Sequence, residues 1–141
     1  MTWILYASIA ALALAAADIF LKVAAGRISN SLGLLLYGGC TFSMGLGWVL
    51  WQRIHGVTQH GQTGGVLAAI GVGITFCIVT AALYATYGAA APISLAFPFI
   101  RFSALLLASL AGFLLWHEPL TLRYVIGIVL ACSGVYLIIT R

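Results

Sequence analysis

The sequence predicts an all-α, polytopic membrane protein with five transmembrane helices, and three observations predict it. Hydrophobic residues make up 64% of the chain and charged residues only 6%, where a soluble domain carries about 25% charge. So few polar side chains cannot cover a water-facing surface, whereas lipid accepts apolar ones. The apolar residues fall into five stretches, each close to the roughly 20 residues that a spanning helix needs. The breaks between them are polar or rich in Gly and Pro, as turns require. Five spans in 141 residues leave only short connections, so residues 1–141 are expected to form one transmembrane domain, multi-pass in a bacterial inner (plasma) membrane.

The first span is placed at Trp3–Ala25. No Lys or Arg precedes it, and the apolar run continues past Asp18 through Ile19-Phe20-Leu21, so a retained span is expected rather than a cleaved leader. Residues Gly26 to Ser31 form a polar turn before the second span, Leu32–Gln52. Arg53 to Thr63 is the one extended loop. The third span, Gly64–Tyr87, is rich in Gly and Thr but contains no charge, which favours a span. The Gly88–Pro92 break leads to the fourth span, Ser94–Trp116. His117 to Thr121 makes a polar corner in which Pro119 stops the preceding helix, and the fifth span is Leu122–Thr140. Trp3, Tyr6, Trp48, Trp51, Trp116 and Tyr124 gather near the expected span ends, where amphipathic rings sit at the membrane–water interface.

Composition also excludes functions. The net charge of +4 comes from single, scattered Lys and Arg residues, whereas nucleic-acid binding needs a clustered basic patch. Cys40, Cys77 and Cys132 lie inside apolar stretches without CxxC or His-linked spacing, and are read as small buried hydrophobes. His117-Glu118-Pro119-Leu120-Thr121 lacks the second His of HExxH. Trp116, His117 and Glu118 are therefore read as a helix-ending motif at the membrane edge, and no metal is expected. No nucleophile–base pair or phosphate loop appears, so neither an enzyme nor a cofactor is expected.

Ionisable groups inside a span cost about 2.5–3.5 kcal/mol on insertion scales and are functional candidates for that reason. Asp18, Lys22 and Arg101 qualify. Asp18 and Lys22, four residues apart, share a helix face; an internal ion pair would offset part of the cost of each. At roughly 1.5 Å per residue, Asp18 lies about 10 Å before the end of the first span and Arg101 about 10 Å after the start of the fourth. Both therefore fall at similar depth near the same face, and an Asp18–Arg101 contact or shared cavity is geometrically allowed. The three charges sum to a single positive charge, which suits an anionic or zwitterionic ligand, and Arg is well shaped for bidentate phosphate recognition. The competing reading has Lys22 snorkelling out and Arg101 pairing with Asp18. Pro98, one turn before Arg101, cannot donate to the Ser94 carbonyl, so a kink or broken turn is expected there. That would make Pro98, Arg101 and Phe102 a stretch of cavity wall; a plain packing kink is the alternative.

Small residues recur at Ala104, Ala108 and Gly112, and at Gly127, Ala131 and Gly134. Such stripes let helices approach closely in lipid, either within one bundle or across a dimer interface. Five spans put the termini on opposite sides. Arg53 and Arg123 then face Arg27 and Arg141, and orientation is set by just this asymmetry. With almost none, two readings stand: dual insertion with antiparallel pairing, or one orientation set by a partner or by weak bias.

Leu115-Trp116-His117-Glu118-Pro119-Leu120-Thr121, followed by Gly127-Ile128 and Ser133-Gly134-Val135-Tyr136-Leu137, resembles the closing segment of drug/metabolite transporter (DMT) superfamily proteins. The opening span, with Lys22 after an Ala-rich helix, is similar to the first helix of the small multidrug resistance branch and of the subunits that flip undecaprenyl-phosphate-linked aminoarabinose. Those subunits have Gln where this chain has Asp18. Multidrug pumps of that branch have four spans and place a carboxylate eight residues before the Lys, where this chain has Leu14. The five-span count instead resembles a single EamA-type half, the unit that full-length members join in inverted pairs. The resemblance implies a transporter or flippase working by alternating access as a homodimer, or as a heterodimer with a related half. Its substrate would be a small polar metabolite or a lipid-linked sugar phosphate, with membrane lipid as surroundings and Asp18, Lys22, Pro98, Arg101 and Phe102 along the path. The alternatives are a non-transporting accessory subunit and a cation-type multidrug exporter.

Dual insertion predicts that reporters fused to the C-terminus are active on both sides of the membrane; activity in a single compartment rules it out.

Overall fold

The computed structural model describes residues 2–117, 119 and 121–140. Five helices account for nearly all of them: α1 (Thr2–Ala24), α2 (Asn30–Ile54), α3 (Thr63–Gly88), α4 (Ile93–Trp116) and α5 (Leu122–Ile139). All five are long and apolar enough to cross a membrane, so the chain has the make-up of a multi-pass membrane protein. Each helix end lies within two residues of the span expected from sequence.

The connections explain why the helices end where they do. After α1, the carbonyl of Ala24 accepts from the N–H groups of Arg27 and Ile28 at 3.0 and 3.3 Å. Gly26 makes this reversal with a φ of +78°, a conformation that costs a glycine little. Ser29 then caps α2, its side chain accepting from the Leu32 N–H at 3.4 Å. Thr121 does the same for α5, accepting from Tyr124 at 3.3 Å. α4 ends at His117, which adopts a left-handed φ of 51° and donates its N–H to the Gly112 carbonyl five residues back. α4 runs unbroken across Pro98, so the broken turn expected there does not form.

The chain divides into two compact units, residues 1–90 and 91–141. In the first, α3 is the shared partner: it packs against both α2 and α1. Its buried residues, Thr80, Leu83, Tyr84 and Tyr87, recur at the three- and four-residue spacing of one helix face. Where α3 meets α2, the Tyr84 ring lies directly against Gly33. A Cβ added at Gly33 would stand 2.4 Å from the Tyr84 Cζ, so only hydrogen fits there. Further along the same two helices, α2 and α3 line an open apolar groove of about 860 Å³ with residues such as Tyr37, Gly38, Phe42, Gly73 and Phe76.

In the second unit α4 packs against α5, and the hydroxyls of Ser109 and Tyr124 hydrogen-bond across the pair. Two readings change here. The cysteines are not buried: Cys40, Cys77 and Cys132 are all exposed and free. They lie on faces left open by intrachain packing, where a small apolar thiol tolerates lipid as well as core. Among the described residues, the α5 glycines meet no neighbouring helix either. No described atom lies within 4 Å of a Cβ built at Gly127 or Gly134.

Gly33→Ala is expected to lower stability by about 1–3 kcal/mol through overpacking against Tyr84. Thermal unfolding in detergent would show the loss, and most of it should vanish in a Tyr84→Leu background, because the two changes share one contact.

Candidate functional site

α3 follows α1 after one intervening span, so the two helices cross the membrane in the same direction and end on the same side. Asp18 and Lys22, on one face of α1, therefore meet the last turns of α3. Asp18 is only 3% exposed and Tyr87 likewise 3%, in a chain whose helices leave most of their large apolar side chains open. The Tyr87 hydroxyl donates to Asp18 Oδ1 at 3.5 Å, long for an O–H···O bond and correspondingly weak. The Lys22 ammonium lies 5.6 Å from the centroid of the same ring, inside the roughly 6 Å range of a cation–π contact. One aromatic side chain thus meets both charges of α1, the anion with its edge hydroxyl and the cation with its face.

In the second unit Arg101 sits on α4 with its guanidinium carbon 5.4 Å from the Phe97 ring centroid. This is an i, i+4 pair, the spacing that brings helical side chains together. Arg101, Pro98 and Phe102 are all half-buried. Asp18 belongs to the first unit and Arg101 to the second. His117 is exposed and forms the α4 cap; Trp116 closes the helix, and Glu118 lies outside the described residues.

Asp18 and Lys22 are thus brought into one cluster, and its third member, Tyr87, was missed from sequence. The signal was present: Thr80, Tyr84 and Tyr87 put three hydroxyl-bearing side chains on one face of a helix without charges. A buried tyrosine hydroxyl ordinarily finds a polar partner. The cluster joins a carboxylate, a hydroxyl and an ammonium near one end of the spans, a set able to meet both charges of a zwitterion or to hold an anion beside Lys22. Among the described residues, no three His, Cys, Asp or Glu side chains gather to hold a metal ion.

None of the protein-family models, curated proteins or solved structures compared with this chain matches it.

Tyr87→Phe keeps the ring under Lys22 and removes the hydroxyl with its long bond to Asp18, so it should cost less than about 1 kcal/mol. Tyr87→Ala removes a buried aromatic and should cost about 3 kcal/mol or more. Thermal unfolding of both variants checks the order; equal losses in the two would mean that the hydroxyl, not the ring, holds the cluster.

Proposed function

We propose that this protein is a membrane transporter or flippase half of the drug/metabolite transporter type, acting as a dimer on a small polar metabolite or a lipid-linked sugar phosphate. The observation that carries the reading is the Asp18–Tyr87–Lys22 cluster, in which Asp18 and Tyr87 are buried and Lys22 half-buried. Ionisable side chains in a span are costly and persist where they meet a substrate, an ion or each other. The three charged residues well inside the spans, Asp18, Lys22 and Arg101, sum to one positive charge, which favours an anionic substrate over a lipophilic cation. The resemblance of the chain's ends to the drug/metabolite transporters supports the class, and the unfilled space at Gly127 and Gly134 supports close approach of a second copy.

A second reading draws on the same cluster. Tyr87 meets both charges of α1 within one unit, so the group also suits a purely structural role in an accessory subunit that stabilises a partner.

Thermal-shift measurements on detergent-purified protein separate these readings. Anionic polyprenyl phosphates or sugar phosphates should stabilise the protein, and Lys22→Gln or Arg101→Gln should remove the shift. Asp18→Asn should abolish substrate movement in proteoliposomes. Stabilisation by lipophilic cations instead would return the protein to the multidrug class. Full activity in the Asp18→Asn/Lys22→Gln double variant would leave the accessory role standing.

A further inference from the structure

The end of α3 is built against its own local preferences. Gly88 is the last residue of the helix and Ala89 its cap. The next residue, Ala90, turns the chain with a φ of +64°. Helices commonly end on one left-handed residue of this kind, and that residue is usually Gly. Here the two residue types stand in the opposite order. Gly within a helix is less favourable than Ala, and Ala in the left-handed region sets its Cβ against the following carbonyl. Exchanging the two would suit the backbone better at both positions.

The described structure gives neither residue another reason to be there. Among the described residues, the glycines with positive φ are Gly26 and Gly56, so Gly88 is not required by its backbone. A Cβ built at Gly88 meets no atom within 4 Å, so no neighbour excludes a side chain. Gly88, Ala89 and Ala90 are all exposed, and packing does not press Ala90 into its conformation. Two backbone hydrogen bonds close the helix instead. Ala89 donates to the Ala85 carbonyl at 3.0 Å, and Ala90 to the Tyr87 carbonyl at 3.1 Å.

The same residues fit a second ending. With Gly88 as the left-handed residue, which glycine adopts freely, α3 stops two residues earlier and Tyr87 becomes its cap. Ala89 and Ala90 are then extended, as Pro92 already favours for Ala91. The two closing bonds are lost, each a modest net loss, and the left-handed alanine and the helical glycine are relieved with them. Opposing terms of similar size leave two endings close in free energy.

We propose that the end of α3 is a two-state joint, closing at Ala90 in one state and at Gly88 in the other. The first compact unit ends at Ala90 and the second begins at Ala91, so the choice of ending sets the direction in which the chain leaves α3 for α4. The joint is independent of the transport reading and stands or falls without it.

Melting temperatures of the purified full chain in one detergent test it, for Gly88→Ala, Ala90→Val and the two combined. A β-branched residue is a rare outlier in the left-handed region but suits an extended backbone. Ala90→Val therefore closes off the ending at Ala90 and leaves the one at Gly88. In the unsubstituted chain Gly88→Ala should raise the melting temperature by about 2–4 °C, through its better helix propensity. In the Ala90→Val background the same change should lower it by at least as much, because the second ending then loses its glycine. A helix with a single ending behaves differently: Gly88→Ala stabilises it in both backgrounds, and that result overturns the proposal. An Ala90→Val chain that does not fold also overturns it, since the ending at Gly88 should have taken over.

Discussion

A carboxylate cannot be placed in a lipid-spanning helix without a partner, and this requirement organises the first three helices. Asp18 is one of only two acids in the chain and is almost wholly buried. An exposed charge at that depth would cost several kcal/mol, comparable to much of a small protein's stability. α1 must therefore turn its Asp18 face inward, and α3 receives it with Tyr87. The rotation of α3 follows: with Tyr87 facing α1, the same face carries Thr80, Leu83 and Tyr84 inward. Tyr84 then lies against α2 at the one point where that helix has Gly33. The site and the packing of the first unit are thus two consequences of one buried charge.

Tyr87 shows how a ring can serve two opposite charges in a medium with no water to help. Its hydroxyl offers a proton to a carboxylate, and its π face attracts an ammonium. The hydroxyl contact is long, so the larger share of the stabilisation comes from burying the ring itself.

Helix positions were legible in the sequence because the bilayer imposes them: its thickness dictates span length, and Ser29, Gly26 and Thr121 mark ends by local chemistry that needs no tertiary information. Asp18, Lys22 and Arg101 were legible for the opposite reason, as charges where charge is penalised. Tyr87 and Gly33 were not, because their roles depend on how α3 is rotated against its neighbours. Lipid is as apolar as the core, so hydropathy does not distinguish an inward face from an outward one. The same ambiguity misplaced the cysteines: an apolar stretch in a membrane protein says that a residue is out of water, not that it is inside the protein.

The exposed helix faces bear on what a second copy could recognise. Ser8, Thr41, Ser43, Thr75 and Ser133 all sit on such faces, and each returns its hydroxyl to a carbonyl of its own helix, at 2.8 to 3.0 Å. A hydroxyl bonded in this way is compatible with lipid and makes no demand for a partner. The polar attraction that often joins transmembrane helices is thus largely spent inside each helix. Any association through these faces must draw on close packing instead, which requires places where a backbone can be approached. On α5 those places are Gly127 and Gly134, where nothing in the described chain occupies the space a side chain would take. A dimer built there would be specified by shape rather than by hydrogen bonds, and it would be sensitive to the volume of added side chains rather than to their polarity.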